Sequence, residues 1–346
     1  MTFASNPRKV TGPMFVAEVS ANHLGSKSRA LEIIDAASEA GATAVKFQTY
    51  TADTMTLNIQ TPEFSVREDH PLWAGRTLYS LYEEAYTPWE WHEELFERCL
   101  SKGVIPFSSP FDLTAVSFLE KLQVQLYKIA SLETSDHTLI KAVANTGKPV
   151  IVSTGATEFH EIESLVKIFK EIANSDLTLM VCTSNYPSLP VDAHLARIKT
   201  LREKFQVNVG ISDHTLGIGV SIAGIALGAT IVEKHFTLRR SDGGADSAFS
   251  MEPEEFGLLV KEGTAAFQSI GHKEWILPEV EAESRRLRRS LYVVKKVKSG
   301  EKITEENLKA IRPGYGLDAS LLESLIGRSF NQDLDIGTPM KTEFVN

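Results

Sequence analysis

Residues 207–236 read VNVGISDHTLGIGVSIAGIALGATIVEKHF, and this stretch decides how the rest of the chain is read. Residues 207–212 form a β-branched, apolar run that ends in polar residues, as a buried strand does. Residues 219–227 are apolar and rich in small residues, which suits a helix packed closely on a sheet. Gly228 closes that helix and 231–233 begin the next strand. A helical crossover of this length joins parallel neighbours. Each strand ends in a histidine, His214 and His235. Parallel neighbours lie about 4.8 Å apart, so the two imidazoles can meet on one divalent ion. The alternative is two unrelated histidines, one bonding a turn and one packed in a core.

Working outward, the same strand–helix alternation recurs upstream. Strands are expected at 15–19, 44–48, 104–108, 126–129, 149–152 and 177–181. Helical spacing follows each, with Ser26 as a candidate N-cap and Gly41 as a stop for the first helix. Eight β/α units in about 250 residues point to an α/β fold of the closed (β/α)8 TIM-barrel type. A doubly wound open sheet is the alternative, but no glycine-rich dinucleotide fingerprint follows the first strand. Function in such a barrel gathers at the C-terminal ends of the strands. Polar residues fall at those ends on nearly every strand: Glu18, Lys46, Ser109, Lys128, Ser131, Glu133, Ser153, Ser212, His214 and His235. Lys46 and Lys128 stand inside the apolar strings AVKFQ and LYKI, where a lysine is costly unless paired or functional. The plainer reading of both is strand-end surface charge.

Composition narrows the function classes. The chain has 346 residues, 23% charged and 42% hydrophobic, with a net charge of −9. That balance disfavours nonspecific nucleic-acid binding, and an anionic substrate would need a local cationic pocket. No apolar run is long enough for a membrane span. The segment MTFASNPRKVTG lacks a signal-peptide core, so a cytoplasmic protein is expected. Two cysteines, Cys99 and Cys182, in apolar helix-like and strand-like settings argue against a disulfide framework and fit a reducing compartment. Cys182 reads as a small buried hydrophobe ahead of a nucleophile.

Two regions break the rhythm. Residues 51–90 hold Trp73, Arg76, Tyr79, Tyr82, Tyr86 and Trp89, long and aromatic for a connection. Such an insertion either builds a substrate pocket or covers the surface. Further on, a helix at 253–270 closes the barrel, a linker is placed at 272–286, and a small domain occupies 287–346. That domain reads as short strands and turns, with Asp318 capping a short helix and the turn-prone IRPGYG carrying Arg312.

With these residues placed, the chain resembles the sialic acid synthase family, in particular its pseudaminic acid synthase branch. The matching pieces are AEVSANHLGS, AVKFQTY, FSSPF, YKIASLE, IVSTG, CTSNYP, VGISDHT and VEKHFT, with IRPGYG in a tail similar to the family's antifreeze-like domain. The branch rests on VSANH, CTSNYP and LWAGRTLYSLYEEAYTPWEWH. The resemblance implies condensation of phosphoenolpyruvate with an amino-sugar aldehyde and water, releasing phosphate. For this branch the sugar is 2,4-diacetamido-2,4,6-trideoxyaltrose; neuraminate and legionaminate synthases, with other amino sugars, are the alternative. It implies a divalent metal on His214 and His235, Mn2+ first, with Mg2+ or Co2+ as substitutes. It places Lys46, Ser109, Lys128, Ser131, Ser153 and Ser212 around phosphoenolpyruvate. Glu18 and Glu133 fall at catalytic positions, and Gln48, Tyr186, Asp246 and Arg312 at sugar-binding ones. It also implies a domain-swapped homodimer in which Arg312 serves a neighbour's site. Ser184 departs from the asparagine usual in neuraminate synthases.

The residue types suit that chemistry. Two lysines and several hydroxyls fit a carboxylate and a phosphate together. A carboxylate can stabilise a cationic intermediate or handle the proton of the attacking water. Aromatics between Trp73 and Trp89 would give a 6-deoxy sugar's methyl group an apolar wall. Two other readings remain: a Schiff-base aldolase using Lys46 or Lys128, and a non-catalytic carbohydrate-binding or coat-assembly protein.

Overall fold

The computed structural model describes residues 12–68 and 73–346. The reading of the N-terminal segment, up to residue 11, and Leu72 of the insertion lie outside the described residues. The chain divides into two compact units, Met1–Gly271 and His272–Asn346.

The first unit is a closed barrel of eight parallel strands in sequential order. They are β1 (Met14–Glu18), β2 (Ala44–Thr49), β3 (Ile105–Pro110), β4 (Tyr127–Ile129), β5 (Val150–Ser153), β6 (Leu177–Cys182), β7 (Asn208–Ser212) and β8 (Ile231–His235). β8 closes on β1 from Met14↔Ile231 to Glu18↔His235. The helices are α1 (Lys27–Glu39), α2 (Ala52–Met55), α3 (Leu78–Ala85), α4 (His92–Ser101), α5 (Leu113–Lys121), α6 (His137–Ala144), α7 (Phe159–Glu171), α8 (Arg197–Phe205), α9 (Gly219–Ala226) and α10 (Pro253–Ser269). Their starts are chemically marked. The side chains of Ser26, Thr77, Asp112 and Asp136 accept from first-turn N–H groups of α1, α3, α5 and α6, satisfying donors that have no partner inside the helix.

Outward-facing strand residues such as Val45, Phe47, Val152 and Ile211 pack with the apolar faces of the helices into the main core. Inside the barrel, Val16, Ala44, Phe107, Leu126, Ile151, Met180 and Ile231 form a separate apolar floor. β7 contributes Gly210 at that level. A Cβ there would lie 2.7 Å from the Ile231 carbonyl oxygen and 3.3 Å from the Met180 Cε, so glycine is what lets the floor close. The 51–90 insertion holds α2, α3 and a bridge between Ser65 and Thr77.

The second unit opens with α11 (Ala282–Arg286), then the antiparallel pair β9 (Ser290–Val293) and β10 (Leu308–Ile311) and the short helix α12 (Leu322–Leu325). Leu291, Val293, Val297, Ile303, Leu308, Phe330 and Met340 give it a core of its own. Asp318 caps the turn at Ala319–Leu321 by accepting from the Ser320 N–H.

Candidate active site

Side chains alternate along a strand, so residues two apart share a face. Counting two from each floor residue toward the strand C-terminus lands on Glu18, Lys46, Ser109, Lys128, Ser153, Cys182, Ser212 and Glu233. All eight are buried. Every strand therefore carries one inward polar or thiol group one pleat above its own apolar floor residue, and the barrel's stagger sets some of them beside a neighbour's floor residue, as with Lys46 and Phe107. This excludes surface charge for the two lysines, which are only 4% and 2% exposed.

The layer is tied together by charge. Lys46 Nζ lies 2.7 Å from a Glu18 carboxylate oxygen and 3.8 Å from Glu233. Lys128 Nζ lies 3.2 Å from the same Glu233 oxygen, which also accepts from Ser212 Oγ at 3.2 Å. Lys46 reaches Ser109 Oγ at 3.5 Å. Burial alone would raise the Glu233 carboxyl, but Lys128 and Lys46 outweigh it and hold that carboxyl well below the usual carboxylate range. Burial pushes the Glu18 carboxyl up against the pull of Lys46. The expected cationic pocket is thus corrected to a balanced one: two ammonium groups face two carboxylates, because a buried lysine without a counter-ion is too costly.

One pleat higher stand the imidazoles, with ring centroids 5.3 Å apart. His214 Nδ1 lies 2.9 Å from the Thr183 carbonyl oxygen. That oxygen only accepts, so Nδ1 carries a proton and Nε2 is the nitrogen left for a ligand. Burial works to lower this imidazole's pKa, but the Cys182 sulfur and the Thr183 carbonyl outweigh it and raise it above the ordinary value. His235 is buried deeply enough to stay neutral, and its Nδ1 has no hydrogen-bond partner. A fixed tautomer on one ring and an orphaned buried nitrogen on the other fit the donor set of a divalent metal. Among the described residues no group of three or more His, Cys, Asp or Glu side chains is arranged to hold one. The protein would therefore supply two nitrogens and leave the remaining positions to substrate or water.

Above this layer opens a cavity of about 460 Å³. Gln48, Ser131, Glu133, Tyr186, His235 and Asp246 line it. Gln48 donates to Glu18 Oε1 at 2.9 Å and to Ser20 Oγ at 3.0 Å, and Ser20 in turn donates to Asp246. Ser131 Oγ accepts from Gly155 N at 3.1 Å. Gly155 is required there, since a Cβ would sit 2.3 Å from Ser184 Oγ and 2.9 Å from Ser131 Oγ. The hydroxyls of Ser153 and Ser184 are buried without partners. Burial lifts the Glu133 carboxyl to about 7 and raises that of Asp246. Tyr186 stacks 4.4 Å from His214 and 5.1 Å from Phe249.

Of the sequence-predicted residues, thirteen meet around the well and cavity: Glu18, Lys46, Gln48, Ser109, Lys128, Ser131, Glu133, Ser153, Tyr186, Ser212, His214, His235 and Asp246. Arg312 belongs to the second unit, where it is exposed and follows β10. Two members were missed. Glu233 is the counter-ion of both lysines. The Cys182 thiol accepts from Ser131 Oγ at 3.5 Å and lies 4.0 Å from His214 Nδ1. Counting in twos from His235 and from Met180 finds both.

The insertion divides its aromatics. Trp73, Tyr82 and the apolar Met55, Val66, Leu78 and Leu81 line the cavity. Trp73 is pinned by its indole N–H to the Ala245 carbonyl at 3.0 Å. Trp89 instead bonds the Tyr50 carbonyl and stacks on Phe118, and Trp91 packs edge-on against His23. The apolar wall is therefore mixed: Trp73 and Tyr82 of the insertion line it as expected, joined by aliphatic side chains and by Tyr50 and Phe111.

A closed (β/α)8 barrel whose strand ends join a lysine–carboxylate well, a histidine pair and a roomy cavity has the architecture of a barrel enzyme with its site at the C-terminal ends of the strands. The chain belongs to the NeuB family, whose model matches residues 33–275, and a SAF domain model matches residues 288–345. It is 42% identical over 326 residues to the pseudaminic acid synthase of Campylobacter jejuni, covering 94% of each chain. It is 40% identical over 334 residues to the pseudaminic acid synthase of Helicobacter pylori, covering 96% of this chain and 97% of that one. The solved N-acetylneuraminic acid synthetase of Leptospira borgpetersenii superposes with a TM-score of 0.71 at 33% identity, over 79% of this chain and 90% of that one.

Proposed function

We propose that the chain condenses phosphoenolpyruvate with 2,4-diacetamido-2,4,6-trideoxy-β-L-altropyranose and water, giving pseudaminic acid and phosphate. The observation that carries this reading is the polar layer, with two ammonium groups and three serine hydroxyls, opening into a cavity that adds the Ser131 hydroxyl and an apolar wall. The relatives' names point to pseudaminic acid as the product, and the family resemblance supplies the sugar.

In this reading Lys46 and Lys128 hold the carboxylate and phosphate of phosphoenolpyruvate, and Ser109, Ser131, Ser153 and Ser212 complete their hydrogen bonds. A proton on Glu18, which burial favours, would leave the well net positive as that anion enters. The C3 carbon of phosphoenolpyruvate attacks the sugar's aldehyde carbon, whose oxygen becomes a hydroxyl. Water adds at the cationic C2, and the C2–O bond to phosphate then breaks. Glu133, with a carboxyl near 7, is suited to carry a proton at neutral pH. His214 and His235 would hold a divalent metal, Mn2+ or else Mg2+ or Co2+, which when bound supplies a Lewis acid for the aldehyde oxygen. Gln48, Tyr186 and Asp246 orient the sugar, and the wall of Met55, Val66, Leu78 and Leu81 takes its C6 methyl.

The exchanged homodimer, with Arg312 serving a partner's barrel, is proposed on the family resemblance alone. No helix among the described residues is long and apolar enough to cross a membrane. Cys99 and Cys182 are free, which suits the cytoplasmic setting we propose.

The test is phosphate release from phosphoenolpyruvate with a panel of amino sugars. The trideoxyaltrose is expected to give the highest kcat/KM. A higher value with N-acetylmannosamine would move the assignment to neuraminate synthesis. A borohydride-trapped pyruvate adduct on Lys46 or Lys128 would replace the mechanism with an aldolase's.

A further inference from the structure

Each candidate metal-binding histidine is preceded by a charged residue that faces the other way. Asp213 precedes His214 and Lys234 precedes His235. Alternation turns both away from the barrel interior, toward the helices, and both are buried, at 4% and 2% exposure. Behind the wall they meet, with Lys234 Nζ 3.2 Å from Asp213 Oδ2. Lys234 also donates to the Thr215 carbonyl oxygen. Asp213 Oδ1 accepts from the Thr215 N–H at 2.9 Å and from its hydroxyl at 2.7 Å. Asp213 Oδ2 accepts from Ser221 Oγ, on α9, at 2.6 Å. The backbone joins the same two strand ends, since Asp213 N donates to the Glu233 carbonyl at 2.9 Å.

A buried ion pair gains little stability over an apolar pair of similar volume, and its best-attested use is fixing geometry. This one has every carboxylate oxygen occupied, and it links the residues immediately before the two imidazoles. We propose that Asp213 and Lys234 are positioning residues: their ion pair, anchored by Thr215 and Ser221, holds the ends of β7 and β8 at the separation that lets His214 and His235 share one metal ion. The inference rests on the metal reading above.

The experiment titrates purified full-length protein with Mn2+ and follows the free ion by electron paramagnetic resonance. In Asp213→Asn/Lys234→Met no charge is left unpaired, and the asparagine can still accept from Thr215. The double variant is expected to fold and to bind Mn2+ at least about tenfold more weakly, with phosphoenolpyruvate affinity unchanged. Ser221→Ala, a mild change that removes one anchor, shifts Mn2+ affinity less and in the same direction. Removing the Asp35–Arg98 pair on α1 and α4 through Asp35→Asn/Arg98→Met costs surface contacts and leaves Mn2+ affinity as it was. Wild-type affinity in both the folded double variant and Ser221→Ala overturns the inference while leaving the metal reading standing. Should the double variant not fold, wild-type affinity in Ser221→Ala overturns it alone. A wild-type protein that takes up no Mn2+ overturns the metal reading and this inference together.

Discussion

The floor of the barrel and the layer one pleat above it are built on the same eight strands and are equally buried, yet they are opposites in chemistry. Below, Val16, Phe107, Ile151 and Ile231 fill space as one apolar cluster. Above, Glu18, Lys46, Lys128 and Glu233 place four ionisable groups where water is scarce. The floor shows that the barrel can be closed by apolar packing alone. The layer above is therefore not needed for closure, and its pairing is the condition on which charge can be kept there at all. Stability should reside in the first layer and affinity for an anion in the second.

The largest effect is expected from breaking the upper layer. Lys46→Met leaves Glu18 and Glu233 without their shared cation, which costs about 3–5 kcal/mol by comparison with other broken buried pairs. Activity should fall by about a thousandfold or more, since about 4 kcal/mol of lost transition-state stabilisation is that factor. Adding Glu18→Gln should restore most of the stability and none of the activity. Urea denaturation and phosphate release separate the two. Recovery of turnover in the double variant would mean that the pair merely plugs the barrel.

The floor should respond the other way. Phe107→Ala is expected to cost about 3–5 kcal/mol of stability. Phe107 stands beside Lys46 in the β2–β3 register but brings no polar atom to the well, so the KM for phosphoenolpyruvate should rise far less than in Lys46→Met. A large rise in KM at unchanged stability would show that the two layers are not separable.

The same contrast explains what could be read from the chain. The eight strands were legible because each apolar run is short, bounded and followed by helical spacing. Most of the polar layer was legible because Lys46, Lys128 and His235 are out of place in apolar strings. Glu233 and Cys182 were not, for different reasons. Glu233 stands next to Lys234, and only alternation decides that one faces the well and the other the helices. Cys182 looks like any buried thiol until its pleat is counted. The insertion has no period to count, so nothing in the sequence separated Trp73, which lines the cavity, from Trp89, which packs on Phe118. The cationic pocket was misjudged because lysines were counted without the carboxylate between them.

The smallest effect, and the finest test of the contrast, comes from Glu133 at the edge of the polar layer. Burial raises its carboxyl from an ordinary value of 4.5 to about 7. The folded protein therefore holds this proton more tightly than the unfolded chain does. The contribution is fully present below pH 4.5 and is lost as pH rises from there to about 7, after which it stays lost. Stability attributable to this group should thus decline across that window and be flat above it. Glu133→Gln, which mimics the protonated form, should remove the decline and make the variant slightly the more stable protein at pH 8. The rate profile supplies the second half. A wild-type limb near pH 7 that vanishes in Glu133→Gln marks this carboxyl as a proton carrier in turnover. A pH-dependence of melting temperature identical in the two proteins would show that Glu133 is ionised in the ordinary range and belongs to the solvated rim instead of the dry layer.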